Sequence, residues 1–116
     1  MRTKKMNKKD SLKHIFDCQR EFDRKLGWNV YENLSTEQDI VDYMQLTVLK
    51  FTEEVGEIAQ KVRRILRDKK PYNPEAFKHE LADIFVYLIQ ASIALKMNLA
   101  QEYYEKLKMN EQRFLR

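Results

Sequence analysis

Five acidic residues on two predicted helices have the types and the spacing for metal-assisted chemistry. Glu53, Glu54 and Glu57 lie close together, and Glu80 and Asp83 follow at a spacing of three. Residues three or four apart share a helix face, where like charges repel. Burial adds a further cost that pairing, protonation or a bound metal relieves. Because the cluster contains no His or Cys, it predicts a hard divalent cation, magnesium or manganese, rather than zinc.

The sequence around these acids predicts that they are buried. On the second helix an apolar face of leucines turns into a carboxylate cluster, opposite a stripe that we interpret as the ordinary core face: Phe51, Val55, Ile58 and Val62. Residues 84–95 contain no charged residue, so the third helix is apolar nearly all round and should be covered on more than one side. One acidic pair is common on a solvated helix face. Two pairs on consecutive helices, one of them opening a charge-free run, favour a metal site.

Four predicted helices position these acids. The first is predicted to begin near Asp10 or Ser11 and to end at Gly27, with an apolar inner side formed by Leu12, Ile15, Phe16, Phe22 and Leu26. Residues 28–34 are predicted to form a loop. Overlapping capping boxes at residues 35–39 begin a long helix over about 37–67. The Asn73-Pro74-Glu75 run begins a third helix that ends near residue 96, and Asn98 caps a fourth over about 99–114.

The composition agrees with an all-α fold of one domain. Of 116 residues, 43% are hydrophobic and 34% charged, with only two Gly and two Pro for turns. We predict a four-helix bundle over residues 10–116, preceded by a frayed basic segment, residues 1–9. Because the second and third helices each carry a second apolar face, a homodimer is the minimum assembly.

The charge, the cysteine content and the hydropathy limit which partners and which cellular compartment we expect for the protein. The net charge of +4 is concentrated at the N-terminus and is a weak signal for nucleic acid. The single cysteine, Cys18, fits a reducing compartment. No apolar run is long enough for a membrane span and no signal-peptide pattern is present, so we expect a soluble, cytoplasmic protein without a membrane partner.

The two acidic motifs resemble those of the MazG-like, dCTP pyrophosphatase-like branch of the all-α nucleoside triphosphate pyrophosphohydrolases. That family carries EExxE on one helix and ExxD on the next, which read here Glu53-Glu54-Val55-Gly56-Glu57 and Glu80-Leu81-Ala82-Asp83. Further likenesses lie at the Gly27-Trp28 pair, at the tyrosine one turn after the second motif, and at a KxxxNxxR element near the C-terminus. The resemblance covers roughly residues 15–114.

The resemblance implies a magnesium-dependent hydrolase, with manganese as a possible substitute, that converts a nucleoside triphosphate to the monophosphate and pyrophosphate. The implied metal ligands are Glu54, Glu57, Glu80 and Asp83, and Glu53 is the candidate for orienting or deprotonating the attacking water. The implied substrate-binding residues are Trp28, Tyr87, Lys106, Asn110 and Arg113. The resemblance also implies a homotetramer, a dimer of dimers, as the alternative to a homodimer. The resemblance leaves the base open, because a second aromatic that some members place near it has no clear counterpart.

Two other functions remain compatible with the sequence. A non-catalytic helical module that binds nucleic acid or a protein partner would explain the basic N-terminus, but the acidic clusters would repel phosphate unless they held metal. A purely structural bundle would explain the apolar faces without chemistry.

Overall fold

The computed structural model describes residues 11–115, which form four helices and no strand. The helices are α1 (Leu12–Leu26), α2 (Glu37–Leu66), α3 (Pro74–Ala94) and α4 (Leu99–Phe114), and a 3₁₀ turn (Val30–Glu32) connects α1 to α2. The all-α prediction is confirmed. The predicted basic segment, residues 1–9, lies outside the described residues.

Local capping chemistry sets the helix ends, which lie within two residues of the predicted ends. Ser11 caps α1, and Thr36 forms a reciprocal capping box with Asp39 at the start of α2. Asn73, followed by a proline at the first helical position, caps α3, and Asn98 caps α4. Each side-chain oxygen accepts a hydrogen bond from a backbone N–H group that has no partner within the helix. The third helix ends at Ala94, two residues before the predicted end, and Lys96 has a left-handed φ of 53° that no α-helix accommodates.

The main packing is that of α2 on α3, with α1 and the 3₁₀ turn lying against α3. The small core contains Tyr31 and Tyr43, which pack with Ala94 near the carboxyl end of α3. Arg24 on α1 makes two hydrogen bonds of 2.8 and 2.9 Å to Glu32, which fasten the turn to α1. This pairing holds the pKa of Glu32 below its ordinary value.

The predicted core stripe of α2 is only partly covered within the chain. Phe51 and Ile58 are half-buried, but Val55 is 57% exposed and Val62 is exposed as well. The face that packs on α3 carries one of the acids, since the buried residues of α2 are Tyr43, Thr47 and Glu54.

The predicted inner side of α1 is also covered only in part. Phe22 and Leu26 are exposed, and Asp23 is the buried residue. Periodicity identifies the apolar residues of a helix but does not tell how that helix is rotated against its neighbours.

We predict opposite effects for alanine at the two glycines. Gly27 ends α1 with φ of 71°, where a Cβ strains the backbone, so Gly27→Ala should lower the free energy of unfolding by about 1 kcal/mol. Gly56 lies inside α2, and a Cβ there meets no atom of the described residues within 4 Å, so Gly56→Ala should raise the free energy of unfolding by about 0.5–1 kcal/mol. Urea denaturation measures both changes. A change in the free energy of unfolding of the same sign in both variants would contradict this prediction.

Candidate metal centre and adjoining cavity

Three of the four predicted metal ligands converge between α2 and α3. Carboxylate oxygens of Glu54, Glu57 and Glu80 lie within 4.8 Å of one another. Glu54 and Glu57 are three apart on α2 and share the face that packs on α3, which carries Glu80. We call these three residues the glutamate cluster.

The glutamate cluster is partly shielded from water and incompletely satisfied. Glu54 is 8% exposed, and the other two are half-buried. Within residues 11–115, Oε2 of Glu54 and Oε2 of Glu80 are buried without a hydrogen-bond partner. Buried polar atoms are nearly always paired, so two such oxygens from facing helices indicate a missing partner.

The carboxylates of the cluster shift one another's pKa values. A hydrogen bond with Glu80, followed by burial and the charge of Glu57, raises the pKa of Glu54 to about 7. The pKa of Glu57 is also raised, first by its hydrogen bond with Glu80 and then by the charge of that residue. Without a cation the cluster therefore relieves its repulsion by keeping a proton near neutral pH.

Lys61 is a residue of this site that sequence reasoning missed. Its Nζ lies 3.1 Å from Oε1 of Glu80 in a partly buried ion pair. The available signal was its position one turn after Glu57 on the same helix face. Among residues 11–115, Lys61 is the cation that forms an ion pair with this cluster of three carboxylates, so the cluster retains excess negative charge that suits a divalent cation.

The other two predicted acids lie beside the cluster. Asp83 follows Glu80 by one turn of α3 but is exposed and outside the group of three. Its side chain lines a neighbouring cavity. Glu53 is exposed on α2, close enough for its charge to raise the pKa of Glu57.

The neighbouring cavity, of about 460 Å³, brings together the two predicted aromatic contacts. Trp28 and Tyr87 both line it, along with Asp83. Trp28 is 61% exposed and meets Phe22 edge to face, with ring centroids 6.2 Å apart. Lys50 places its Nζ 5.3 Å from the centroid of the Tyr87 ring. The volume and the aromatic walls suit a small organic ligand.

The structure does not bring the three predicted residues of α4 to this site within one chain. Lys106 and Arg113 are exposed, Asn110 is half-buried, and α4 contributes no buried residue. None of the three lines the 460 Å³ cavity. The guanidinium of Arg113 lies 4.9 Å from the ring centroid of Phe114 instead.

A buried polar network beside the cavity was also missed by sequence reasoning. Asp23 is fully buried and accepts hydrogen bonds from Tyr31 Oη at 2.6 Å, from Gln90 Nε2 at 3.0 Å and from Gln19 Nε2 at 3.0 Å. Burial, together with the bond to Asp23, raises the pKa of Tyr31 and keeps its hydroxyl protonated. The signal in the sequence was an aspartate in line with Leu12, Phe16 and Gln19 on one face of α1.

Comparisons with known proteins leave the family unassigned. No protein-family model matches the chain, and neither the curated proteins nor the solved structures contain a significant match. Among the described residues, no helix is long and apolar enough to cross a membrane.

We predict that the metal-free protein loses stability as the pH rises from about 4.5 to above 7. The folded-state pKa of Glu54 is raised above its ordinary value of 4.5 to about 7. The contribution of this shift to the free energy of unfolding is therefore fully present below pH 4.5 and disappears as the pH passes about 7. Thermal melts in a chelator should show this fall, and millimolar Mg²⁺ or Mn²⁺ should reverse it at pH 8.

The matched variant is Glu54→Gln, which removes the titrating group and retains the shape. It should flatten the fall in melting temperature between about pH 5 and 8 by a few degrees and weaken the metal-induced stabilisation. Unchanged pH dependence in this variant would show that another group titrates.

Proposed function

We propose that this protein is a magnesium-dependent pyrophosphohydrolase of nucleoside triphosphates. The observation that carries the proposal is the convergence of Glu54, Glu57 and Glu80 from the two helices that bear the acidic motifs. The resemblance of those motifs to the MazG-like enzymes supplies the reaction. The adjoining aromatic cavity supports a substrate with a flat organic part.

The residues of the cluster fit a magnesium or manganese ion. All the donor atoms are carboxylate oxygens, and two of them are buried without a hydrogen-bond partner among the described residues. A bound ion would neutralise phosphate oxygens and lower the pKa of a water molecule. Asp83 would complete the ligand set from the next turn of α3, at the side that faces the cavity.

Other side chains of the protein would activate the water and bind the nucleoside. Glu53, exposed beside the cluster, would orient the attacking water and accept its proton. The water oxygen bonds to the α-phosphorus while the bond to the β-phosphate breaks, which yields the monophosphate and pyrophosphate. Trp28 and Tyr87 would hold the nucleoside in the cavity, with Trp28 stacking on the base and the Tyr87 hydroxyl donating to a phosphate.

A second copy of the chain would complete the site. Large apolar residues are exposed along α2 and α4, among them Leu49, Val55 and Leu107. A monomer rarely leaves so much apolar helix surface in water. In a homodimer or homotetramer, α4 of a neighbouring subunit would supply Lys106, Asn110 and Arg113 to the phosphates.

We predict pyrophosphate release from at least one nucleoside triphosphate in the presence of Mg²⁺. Glu57→Gln and Asp83→Asn should each lower kcat by about 100-fold or more, because they remove charge that holds the ion and the phosphates. The control is Glu75→Gln, an exposed acid on α3 that pairs with Lys78. A phosphate assay coupled to pyrophosphatase, run on canonical and modified ribo- and deoxynucleotides, measures all four proteins.

Full activity in both variants would refute the role of the cluster. No release from any triphosphate, with either metal, would refute the hydrolase and leave the binding module as the better interpretation.

We predict that the protein in solution is a dimer or larger, and that Leu49→Lys shifts it toward the monomer. Leu49 is 62% exposed on α2, and a buried lysine there would oppose association. Leu115→Lys is the control with the same change of charge, because Leu115 is exposed beyond the last helix. Sedimentation velocity gives the masses, and a monomeric wild type would contradict the prediction.

A further inference from the structure

Lys50 is a half-buried cation where the glutamate cluster adjoins the cavity of about 460 Å³. It lies on α2 one turn before Glu54, so the two side chains share a face of the helix. It lines the cavity together with Asp83 and Tyr87, which are themselves one turn apart on α3. Lys50 therefore adjoins both the carboxylates that would hold an ion and the aromatic walls of the cavity.

Within residues 11–115, the ammonium group of Lys50 has no carboxylate partner. It forms no ion pair and no hydrogen bond there, although Asp83 lines the same cavity. The contact that Nζ makes is with the ring of Tyr87, 5.3 Å from its centroid. Lys61 on the same helix shows the contrast, because it pairs with Glu80 at 3.1 Å. A ring face attracts a cation less strongly than an anion does, so Lys50 is available to an anion that enters the cavity.

Lys50 lies at the end of the cavity nearest the glutamate cluster. The α2 residues that line the cavity are Tyr43, Leu46 and Lys50, and of these Lys50 is the closest along the helix to Glu54. Asp83 has the corresponding place on α3, one turn after Glu80. A polyanion that reaches from the cavity to an ion at the cluster therefore passes Lys50.

We propose that Lys50 binds the α-phosphate of the substrate, the phosphate that joins the nucleoside to the rest of the triphosphate. This inference rests on the proposed function, because it assigns a contact of the same substrate. With the nucleoside in the cavity and the ion at the glutamate cluster, the α-phosphate lies at the border of the two, where Lys50 and Asp83 are. Lys50 contributes a positive charge from the same chain, independently of α4 of a neighbouring subunit.

The assignment makes the contact independent of the metal and of the other two phosphates. A nucleoside 5′-monophosphate keeps the α-phosphate, so Lys50 should bind it even when no metal is present. The nucleoside alone has no phosphate, and its affinity should not depend on the charge of Lys50. The ratio of the two dissociation constants therefore isolates this contact from the packing of the base.

The test measures this ratio in the full-length protein with a chelator present. The fluorescence of Trp28, the single tryptophan of the chain and a wall of the cavity, reports binding. The probes are the common 2′-deoxynucleosides and their 5′-monophosphates, which cover the open choice of base. For the base that binds best, the wild type should bind the monophosphate about tenfold or more tightly than the nucleoside. Lys50→Met should reduce that ratio to about one or below.

Two matched variants separate charge from shape. Lys50→Arg keeps the positive charge and should retain most of the ratio. Lys13→Met removes the same charge from an exposed position on α1, where Lys13 pairs with Asp17 and does not line this cavity, and it should leave the ratio at the wild-type value. A loss of packing in Lys50→Met would weaken the nucleoside and the monophosphate equally, and so would not change the ratio.

The outcomes separate this inference from the proposed function. A wild type that shows no preference for the monophosphate, or no response to any probe, overturns the assignment. A ratio that survives in Lys50→Met, or that Lys13→Met also abolishes, overturns it too. A ratio that only Lys50→Met abolishes supports it. If that result comes from a protein that releases no pyrophosphate, the hydrolase proposal fails and the phosphate contact stands. If pyrophosphate is released but the ratio does not depend on Lys50, the hydrolase stands without this contact.

Discussion

The packing of α2 on α3 through an acidic face is the constraint on which the rest of the structure depends. Helices in a bundle ordinarily meet through apolar side chains, but here Glu54 is buried at the contact and Glu80 faces it. Mutual repulsion and desolvation oppose that contact. The chain offsets part of the cost with the ammonium group of Lys61 and with a retained proton on Glu54. The cavity beside Asp83 lies against the same two helices, and α1 and the segment after it form its other walls.

Asp23, the second buried carboxylate, is stabilised in a different way. Asp23 is more deeply buried than any member of the glutamate cluster, yet it has neutral donors from α1, the 3₁₀ turn and α3. It thereby joins three elements of the fold. The contrast between the two sites is chemical: one carboxylate is satisfied by the fold, and the others are left with oxygens that a cation would satisfy.

The helix ends were predictable from the sequence because capping is local. Ser11, Thr36, Asn73 and Asn98 each act within three residues of their own position. The convergence of acids from the two motifs was predictable because the motifs lie on consecutive helices that pack together. The pairing of Lys61 was not, since it depends on the rotation of α2 against α3. The predicted core stripe of α2 was only partly correct for the same reason: Phe51 is half-buried, but Val55 is exposed. The Asp23 network was missed for a related reason, as its members come from three separate elements.

The proton held by Glu54 has a consequence for how the cluster would take up an ion. Carboxylates bind cations in their ionised form, so loading would expel that proton to solvent. Because its neighbours and burial raise the pKa of Glu54 to about 7, this residue still holds part of its proton at neutral pH, and loading would release it. Calorimetric heats of loading would then differ between buffers of different ionisation enthalpy, and occupancy would respond to modest acidification at a constant concentration of the ion. Protons and a divalent cation would therefore compete for the cluster, with its occupancy set by both concentrations.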